Sequence, residues 1–350
     1  RDYDVLHTIN GVFSHPRWPM NVVRILGKKT SKISMNHQVS SRMSMAMDRP
    51  SGRVLVTGAL GQIGTELVEV LRQKHGHGSV IATDIRKAEG CQILDVMNKR
   101  EVHKLVIEQE ITEIYHLAAL LSATGEKNPE LCWDINVIGL ENVITAAKET
   151  NARLFSPSSI AVFGPDCPNI APQITPLNPS TVYGRTKVVG EQLAITSGID
   201  MRGIRYPGLI SYKAPAGGGT TDYAVEIFHH ALKNGHYQCF VREDTKLPMM
   251  YMDDAIRATV ELMDYPIEKL SESRGGYNIS GCSFTVGELV NSIQRHLPDF
   301  ICTYNPDIRQ TYADSWPDEI EDDIARKEWG WSPRFDLDMI VDEMITNLAN

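Results

Sequence analysis

The chain has 350 residues, with 35 Lys/Arg against 44 Asp/Glu for a net charge of −9, and is 42% hydrophobic and 23% charged. These are the proportions of a soluble globular protein with length for a sizeable core, in two domains or one large one. The acidic balance argues against a nucleic-acid partner, and no apolar run approaches the roughly 20 residues of a membrane span. The six cysteines form no C-x-x-C pair and the eleven histidines show no ligand spacing, so neither a disulfide framework nor a metal site is expected.

Charge is distributed unevenly. Residues 5–47 hold Arg17, Arg24, Lys28, Lys29, Lys32 and Arg42, six serines and no acid. That segment carries +6 and residues 1–4 carry −1, which leaves −14 for residues 48–350. A basic, serine-rich, acid-free leader has the composition of a mitochondrial transit segment. The competing reading is a vector remnant or an unstructured tail, because the chain opens with Arg1. Residues 1–50 are expected to lie outside the fold, which starts at Ser51.

Gly52–Thr57 is a short apolar run that predicts a buried strand. It runs into Gly58-Ala59-Leu60-Gly61-Gln62-Ile63-Gly64, followed by Leu67, Val70 and Leu71 at helical spacing. A second strand, Val80–Thr83, ends at Asp84, twenty residues beyond Gly64. Such a strand–glycine turn–helix–strand–acid unit places a pyrophosphate on the helix N-terminus and the acid on a ribose. Asp84 repels a 2′-phosphate, which favours NAD over NADP; Arg86 could soften that preference.

Further strand–helix alternation predicts a doubly wound parallel sheet of Rossmann type. Ile114–Ala119 reads as a strand ending in small residues, beside Leu117, Ala118 and Ala119. Asp95-Val96 could flank an adenine, Glu130–Thr150 reads as one long helix carrying Asn136, and Arg153–Ser159 as a strand ending in paired hydroxyls.

The chemical signal is Tyr183-Gly-Arg-Thr-Lys187, whose spacing puts both side chains on one helix face. The ammonium is expected to lower the phenol pKa and so make a base. Tyr265-Pro-Ile-Glu-Lys269 repeats the pattern, but Pro266 marks a helix start and no hydroxyl-bearing strand end precedes it. Tyr183 has such an end twenty-four residues upstream, in Ser158 and Ser159. Ser159 is favoured as the catalytic hydroxyl, since either serine could be a backbone cap.

These residues resemble the extended short-chain dehydrogenase/reductase superfamily. Arg205–Ser211, Ala216–Glu226, Leu247–Met252 and Ser315–Asp318, with Leu120–Ala123 and Ser156–Gly164, narrow the resemblance to short-chain L-threonine 3-dehydrogenases over residues 51–350. Phe163 departs from many extended relatives, which carry tyrosine there.

The resemblance implies oxidation of L-threonine with NAD⁺ to L-2-amino-3-oxobutanoate. Tyr183 would act as base, Lys187 would support the phenolate and Ser159 would place the hydroxyl. It also implies a cofactor set of Gly58, Gly61, Gln62, Ile63, Gly64, Asp84, Ile85, Arg86, Asp95, Val96, Leu117, Ala118, Ala119, Asn136, Tyr183, Lys187, Pro207 and Ile210. Substrate contacts are expected from Ser122, Ser158, Ser159, Tyr183, Gly219, Thr220, Thr221 and Trp316. The Gly217–Thr221 loop offers hydroxyls and backbone N–H groups just before a helix near Asp222.

Residues 51–205 are expected to form the NAD-binding domain, with later segments returning to it, and residues 206–350 mainly the substrate-binding part. A homodimer through helices around residues 130–150 and 181–196 follows from the same resemblance, as does functional coupling to a ligase that consumes the product. A nucleotide-sugar epimerase or dehydratase would share the cofactor half but needs a larger, more cationic cleft. A non-enzymatic NAD-binding protein of this fold would typically lack the tyrosine–lysine pair. A zinc-dependent dehydrogenase is excluded by the missing cysteine cluster.

Overall fold

The computed structural model describes residues 52–349, so the leader expected over residues 1–50 lies outside the described residues. The first half alternates strands and helices as β1 (Arg53–Thr57), α1 (Gln62–His75), β2 (Val80–Asp84), β3 (Gln92–Ile93), α2 (Lys99–Glu108) and β4 (Ile111–His116). Next come α3 (Ser122–Lys127), α4 (Pro129–Trp133), α5 (Gly139–Thr150), β5 (Arg153–Phe155), β6 (Ser158–Ser159) and β7 (Ile170–Ala171). They are followed by α6 (Val182–Thr196), β8 (Met201–Arg202), β9 (Ile204–Tyr206) and β10 (Gly208–Ile210). The six-stranded sheet has the order β3-β2-β1-β4-β5-β8, and all its pairings are parallel. A doubly wound sheet has this order, with the strand reversal beside β1 where ligands bind.

Successive side chains of a strand point to opposite faces, and the core follows that rule. Val54, Val56, Val80, Ala82, Tyr115 and Phe155 pack with Leu67 and Leu71 of α1 and with Trp329 and Trp331. The intervening Leu55, Ile81, Ile114 and Leu154 pack on the other face with Val102, Val106, Val143 and Ala147. Both faces are covered, so these strands read as unbroken apolar runs instead of alternating ones.

The later segments are α7 (Tyr223–Asn234), β11 (His236–Cys239), β12 (Lys246–Tyr251), α8 (Met252–Asp264), β13 (Tyr277–Asn278) and β14 (Cys282–Thr285). Strand β12 lies between β10 and the antiparallel β14, and β13-β9-β6 forms a separate parallel sheet. Through β6, Ser158 and Ser159 thus pair with Arg205 and Tyr206.

Three elements differ from the sequence expectation. The strand expected to run to Ala119 ends at His116, and Leu117 N–H donates to Thr57 O at 3.0 Å as the chain turns out of the sheet. The expected helix over residues 130–150 is interrupted by a π-turn at Asp134–Ile138. The expected strand over residues 153–159 breaks at Ser156-Pro157 and continues in another sheet, because proline has no N–H to give a ladder.

Gly58 has φ +70°, a left-handed conformation that favours glycine, and a Cβ there would lie 2.6 Å from Ala118 N. A Cβ on Gly64 would lie 2.4 Å from Gly58 O, so α1 is held against the turn by the absence of a side chain. Gly64→Ala should therefore lower the unfolding free energy by about 1–3 kcal/mol, read from urea denaturation, despite alanine's better helix propensity.

Candidate active site

A cleft of about 410 Å³ opens at the C-terminal ends of β1 and β4, between the glycine turn and the Ala214–Asp222 segment. Gly58, Gly61, Gln62, Ile63, Gly64, Arg86, Leu117, Ala119 and Pro207 line it, together with Ser122, Ser158, Ser159, Tyr183, Lys187, Gly219, Thr220, Thr221 and Trp316. Asp84, Ile85, Asp95, Val96, Ala118, Asn136 and Ile210, also expected from the sequence, are not among its lining residues. Ile85 is 67% exposed, whereas Ile210 is fully buried in β10.

The glycine turn is shaped for a phosphate. Helix α1 has Gly61 at its N-cap, without a side-chain cap and without an acid in the first turn. Its leading N–H groups have no helical partner, and the helix dipole favours an anion there. Asp84 stands at the end of β2 and accepts Leu60 N–H at 3.1 Å and Arg86 N–H at 3.0 Å. The Arg86 guanidinium donates to the same carboxylate at 3.0 Å. Burial pushes Asp84 up, but the hydrogen bonds from Arg86 and Leu60 outweigh it and hold the carboxyl below its ordinary pKa. The close-approach glycines, the uncapped helix and the ionised acid all fit a dinucleotide.

Asn136 acts within the protein. Its Oδ1 accepts Leu120 N–H at 2.8 Å, and its Nδ2 donates to Leu120 O and Thr186 Oγ1, both at 3.1 Å. It stands in the π-turn Asp134–Ile138; such turns are frequent at functional sites. Asp95 is engaged locally, accepting Met97 N–H at 2.9 Å.

Thr181 caps α6 by accepting Gly184 N–H at 3.0 Å. One turn inside, Lys187 donates to Pro157 O at 2.8 Å, with its Nζ 5.5 Å from the centroid of the Tyr183 ring. Ser159 Oγ accepts Ala161 N–H at 3.2 Å. Ser158, its neighbour, donates to Glu191 at 2.5 Å, and Glu191 is bound by the Arg205 guanidinium at 2.8 Å through both oxygens.

The electrostatics correct one expectation. Burial pushes the Tyr183 phenol up to about 12, hydrogen bonding with Ser159 opposes the rise, and the Cys132 thiol adds to it. Burial likewise brings Lys187 down to about 8. Both shifts run toward the neutral forms, against the lowering of the phenol expected from the sequence. Desolvation wins because both side chains sit inside the protein, where charged forms are disfavoured.

On the substrate side, Ser122 Oγ and Thr220 Oγ1 lie 3.2 Å apart, and Thr220 N–H donates to Ser122 Oγ at 3.2 Å. The N–H groups of Gly218 and Gly219, expected to be free for a ligand, donate to Asp222 Oδ2, each at 2.7 Å. Trp316 walls the cleft and also packs into the neighbouring hydrophobic cluster. Leu120, Leu121, Thr124, Leu209 and Ala214–Ala216 also line the cleft, though the sequence did not mark them as cofactor or substrate contacts. Their position after β4, or in and after β10, was the available signal, since loops at strand C-termini form such crevices. Among the described residues, no three metal-ligating side chains converge.

Residues 54–280 match the family described as the NAD dependent epimerase/dehydratase family. The chain is 43% identical over 342 residues to the mitochondrial L-threonine 3-dehydrogenase of Bos taurus, covering 94% of this chain and 91% of the relative. An uncharacterized epimerase/dehydratase of Staphylococcus aureus (strain MRSA252) is 47% identical over 299 residues, covering 81% of this chain and 93% of the relative. A solved structure titled monomeric L-threonine 3-dehydrogenase from a metagenome database, in its apo form, superposes with a TM-score of 0.82 at 54% identity. That match covers 84% of this chain and 98% of the solved one. The chain belongs to the NAD dependent epimerase/dehydratase family, as an NAD-using enzyme related along most of its length to L-threonine 3-dehydrogenases.

Proposed function

We propose that the protein oxidises L-threonine at its hydroxyl-bearing carbon with NAD⁺, giving L-2-amino-3-oxobutanoate and NADH. The observation that carries this reading is one cleft joining the glycine turn, the Tyr183/Lys187/Ser159 set and the Ser122–Thr220 hydroxyl pair. The basic side chains lining that cleft are Arg86 and Lys187, and both are engaged, with Asp84 and with Pro157 O. A sugar-nucleotide diphosphate would need free cations there, so a small zwitterion fits better.

When bound, NAD supplies the hydride acceptor and a positively charged nicotinamide. The glycine turn with Gln62 and Ile63 would hold its phosphates, and Asp84 its adenosine ribose. Ile85, Arg86, Asp95 and Val96 are proposed around the adenine, with Leu117, Ala118, Ala119, Asn136, Pro207 and Ile210 shaping the rest of the site. Tyr183, once ionised, takes the proton from the threonine hydroxyl. Lys187 steadies the phenolate charge, and Ser159 hydrogen-bonds the reacting oxygen so that its proton lies within reach. Ser122, Thr220 and Thr221 offer hydroxyls to the amino acid's charged ends, Gly219 lets the chain pass close, and Trp316 limits the pocket.

Residues 51–205 are proposed as the cofactor part and 206–350 as mainly the substrate part. The basic leader and the mitochondrial bovine relative support a mitochondrial location. Conversion of threonine toward glycine and acetyl-CoA, with a ligase consuming the product, completes the reading. A homodimer through the helices around residues 130–150 and 181–196 is supported by Leu131 and Ile138, which are 50% and 39% exposed.

NADH absorbance with L-threonine and NAD⁺ tests the reaction. Tyr183→Phe should lower kcat by about 10²–10⁴-fold, the range typical of a lost general base. NAD⁺ binding without threonine oxidation in the wild type would sink the assignment. For the cofactor, Asp84→Ala should raise the kcat/KM ratio of NADP⁺ to NAD⁺ by about tenfold or more, as about 1.4 kcal/mol of repulsion is removed; an unchanged ratio would remove Asp84 from the ribose site. In sedimentation velocity the dimer mass is expected, and a monomer at micromolar concentration would overturn that part, as the monomeric metagenomic relative warns.

A further inference from the structure

We infer that Glu126 is a positioning residue for Tyr183, tying the seating of the substrate to the placement of the base; the inference rests on the reading above. Its Oε1 accepts Tyr183 N–H at 3.1 Å across 57 residues of sequence. An N–H in the first turn of a helix has no helical acceptor. Thr181 meets that need for Gly184 through its side chain, and Glu126 meets it for Tyr183.

Glu126 belongs to the short helix α3, whose first residue is Ser122. Ser122 is bonded to Thr220 on the substrate loop, so one helical turn joins that loop to the backbone of the base. The strut is held closely on its other sides. A Cβ on Gly125 would lie 2.7 Å from Cys132 Sγ, so α3 packs on Cys132 where a side chain would crowd it, and the same position is in ordinary contact with Tyr183 Cβ. Just before α3, Asn136 holds Leu120 by both its N–H and its carbonyl, and reaches Thr186 on α6. The segment Leu120–Glu126 is therefore fastened to the catalytic helix at both ends.

A hydrogen-bond role separates from a charge role by substitution. Glu126→Gln keeps an acceptor and removes the charge; Glu126→Ala removes both. With L-threonine and NAD⁺, Glu126→Ala should lower kcat by about ten- to a hundredfold while the KM for NAD⁺ stays unchanged, since small misplacements of a reacting group carry losses of that order. Glu126→Gln should recover most of the rate. In the protein without added ligand, amide exchange followed by NMR should show the Tyr183 N–H exchanging faster in Glu126→Ala and near wild type in Glu126→Gln.

Wild-type kcat and Tyr183 exchange in the alanine variant would overturn the inference, and so would a glutamine variant as impaired as alanine. If Glu126→Ala fails to fold, Glu126→Asp, whose acceptor is withdrawn by one methylene, must show the same kcat loss and faster exchange, and wild-type behaviour there overturns it. A wild type inert toward threonine defeats the proposed reaction instead, while the exchange measurement still reports on the Glu126–Tyr183 bond.

Discussion

The first turn of the catalytic helix lies so close to the chain after β6 that a Cβ at position 184 would stand 2.1 Å from Ala161 O and 2.6 Å from Pro179 Cβ. This contact sets the distance between the helix and the serine strand, and two side-chain bonds repeat it further along. Lys187 reaches Pro157 O at 2.8 Å, and Glu191 takes the Ser158 hydroxyl at 2.5 Å. The attachments recur at positions 184, 187 and 191, the three-or-four-residue spacing of one helix face. Arg205 closes the arrangement from β9, which pairs with β6 and holds Glu191 through both oxygens. A buried charge pair such as this is a poor source of net stability. Its effect here is geometric, because it fixes the register of the strand that carries Ser159 against the helix that carries Tyr183.

That rigidity has an electrostatic consequence. Burial lifts the phenol to about 12 and brings the ammonium down to about 8, so both shifts favour uncharged forms. Each unit by which the phenol must fall before it can act near neutral pH corresponds to about 1.4 kcal/mol. The hydrogen bond with Ser159 acts in the lowering direction, against burial. In the proposed reaction, a positively charged oxidised cofactor would favour the phenolate.

Residues near one another in sequence were legible; those joined across it were not. The strand, glycine turn, helix and Asp84 could be read because their spacing is local and their chemistry is narrow. Tyr183 and Lys187 could be read for the same reason. The π-turn at Asp134–Ile138 left no trace, since apolar residues on either side continue the helical pattern. Pro157 breaks the strand because it has no N–H to give a ladder, although the apolar residues before it continue the strand pattern. Ser158 and Ser159 are equivalent in sequence; only the position of Glu191 shows which hydroxyl is already bound. Glu126 reads as an ordinary surface acid of a short helix, and its partner is known only once α6 is in place.

The substrate loop completes the same logic with a different means. Three glycines in a row have a high conformational entropy in the unfolded chain and no side chains to anchor them. Asp222 supplies the anchor by accepting the N–H groups of Gly218 and Gly219 at 2.7 Å. Its own carboxyl is pushed up by burial, with the two glycine amides pulling against that rise. A substrate carboxylate arriving at this loop would have to compete with one already seated, so the two amides are poor candidates for binding it. The hydroxyls of Ser122 and Thr220, held 3.2 Å apart and facing the cleft, are better ones, because a hydroxyl can turn to donate to a carboxylate or accept from an ammonium. On the proposed function, selectivity would rest on these hydroxyls, with Trp316 walling the same cleft. The basic side chains lining the cleft, Arg86 and Lys187, are engaged with Asp84 and with Pro157 O, which on the proposed function leaves recognition of the amino acid to the hydroxyls.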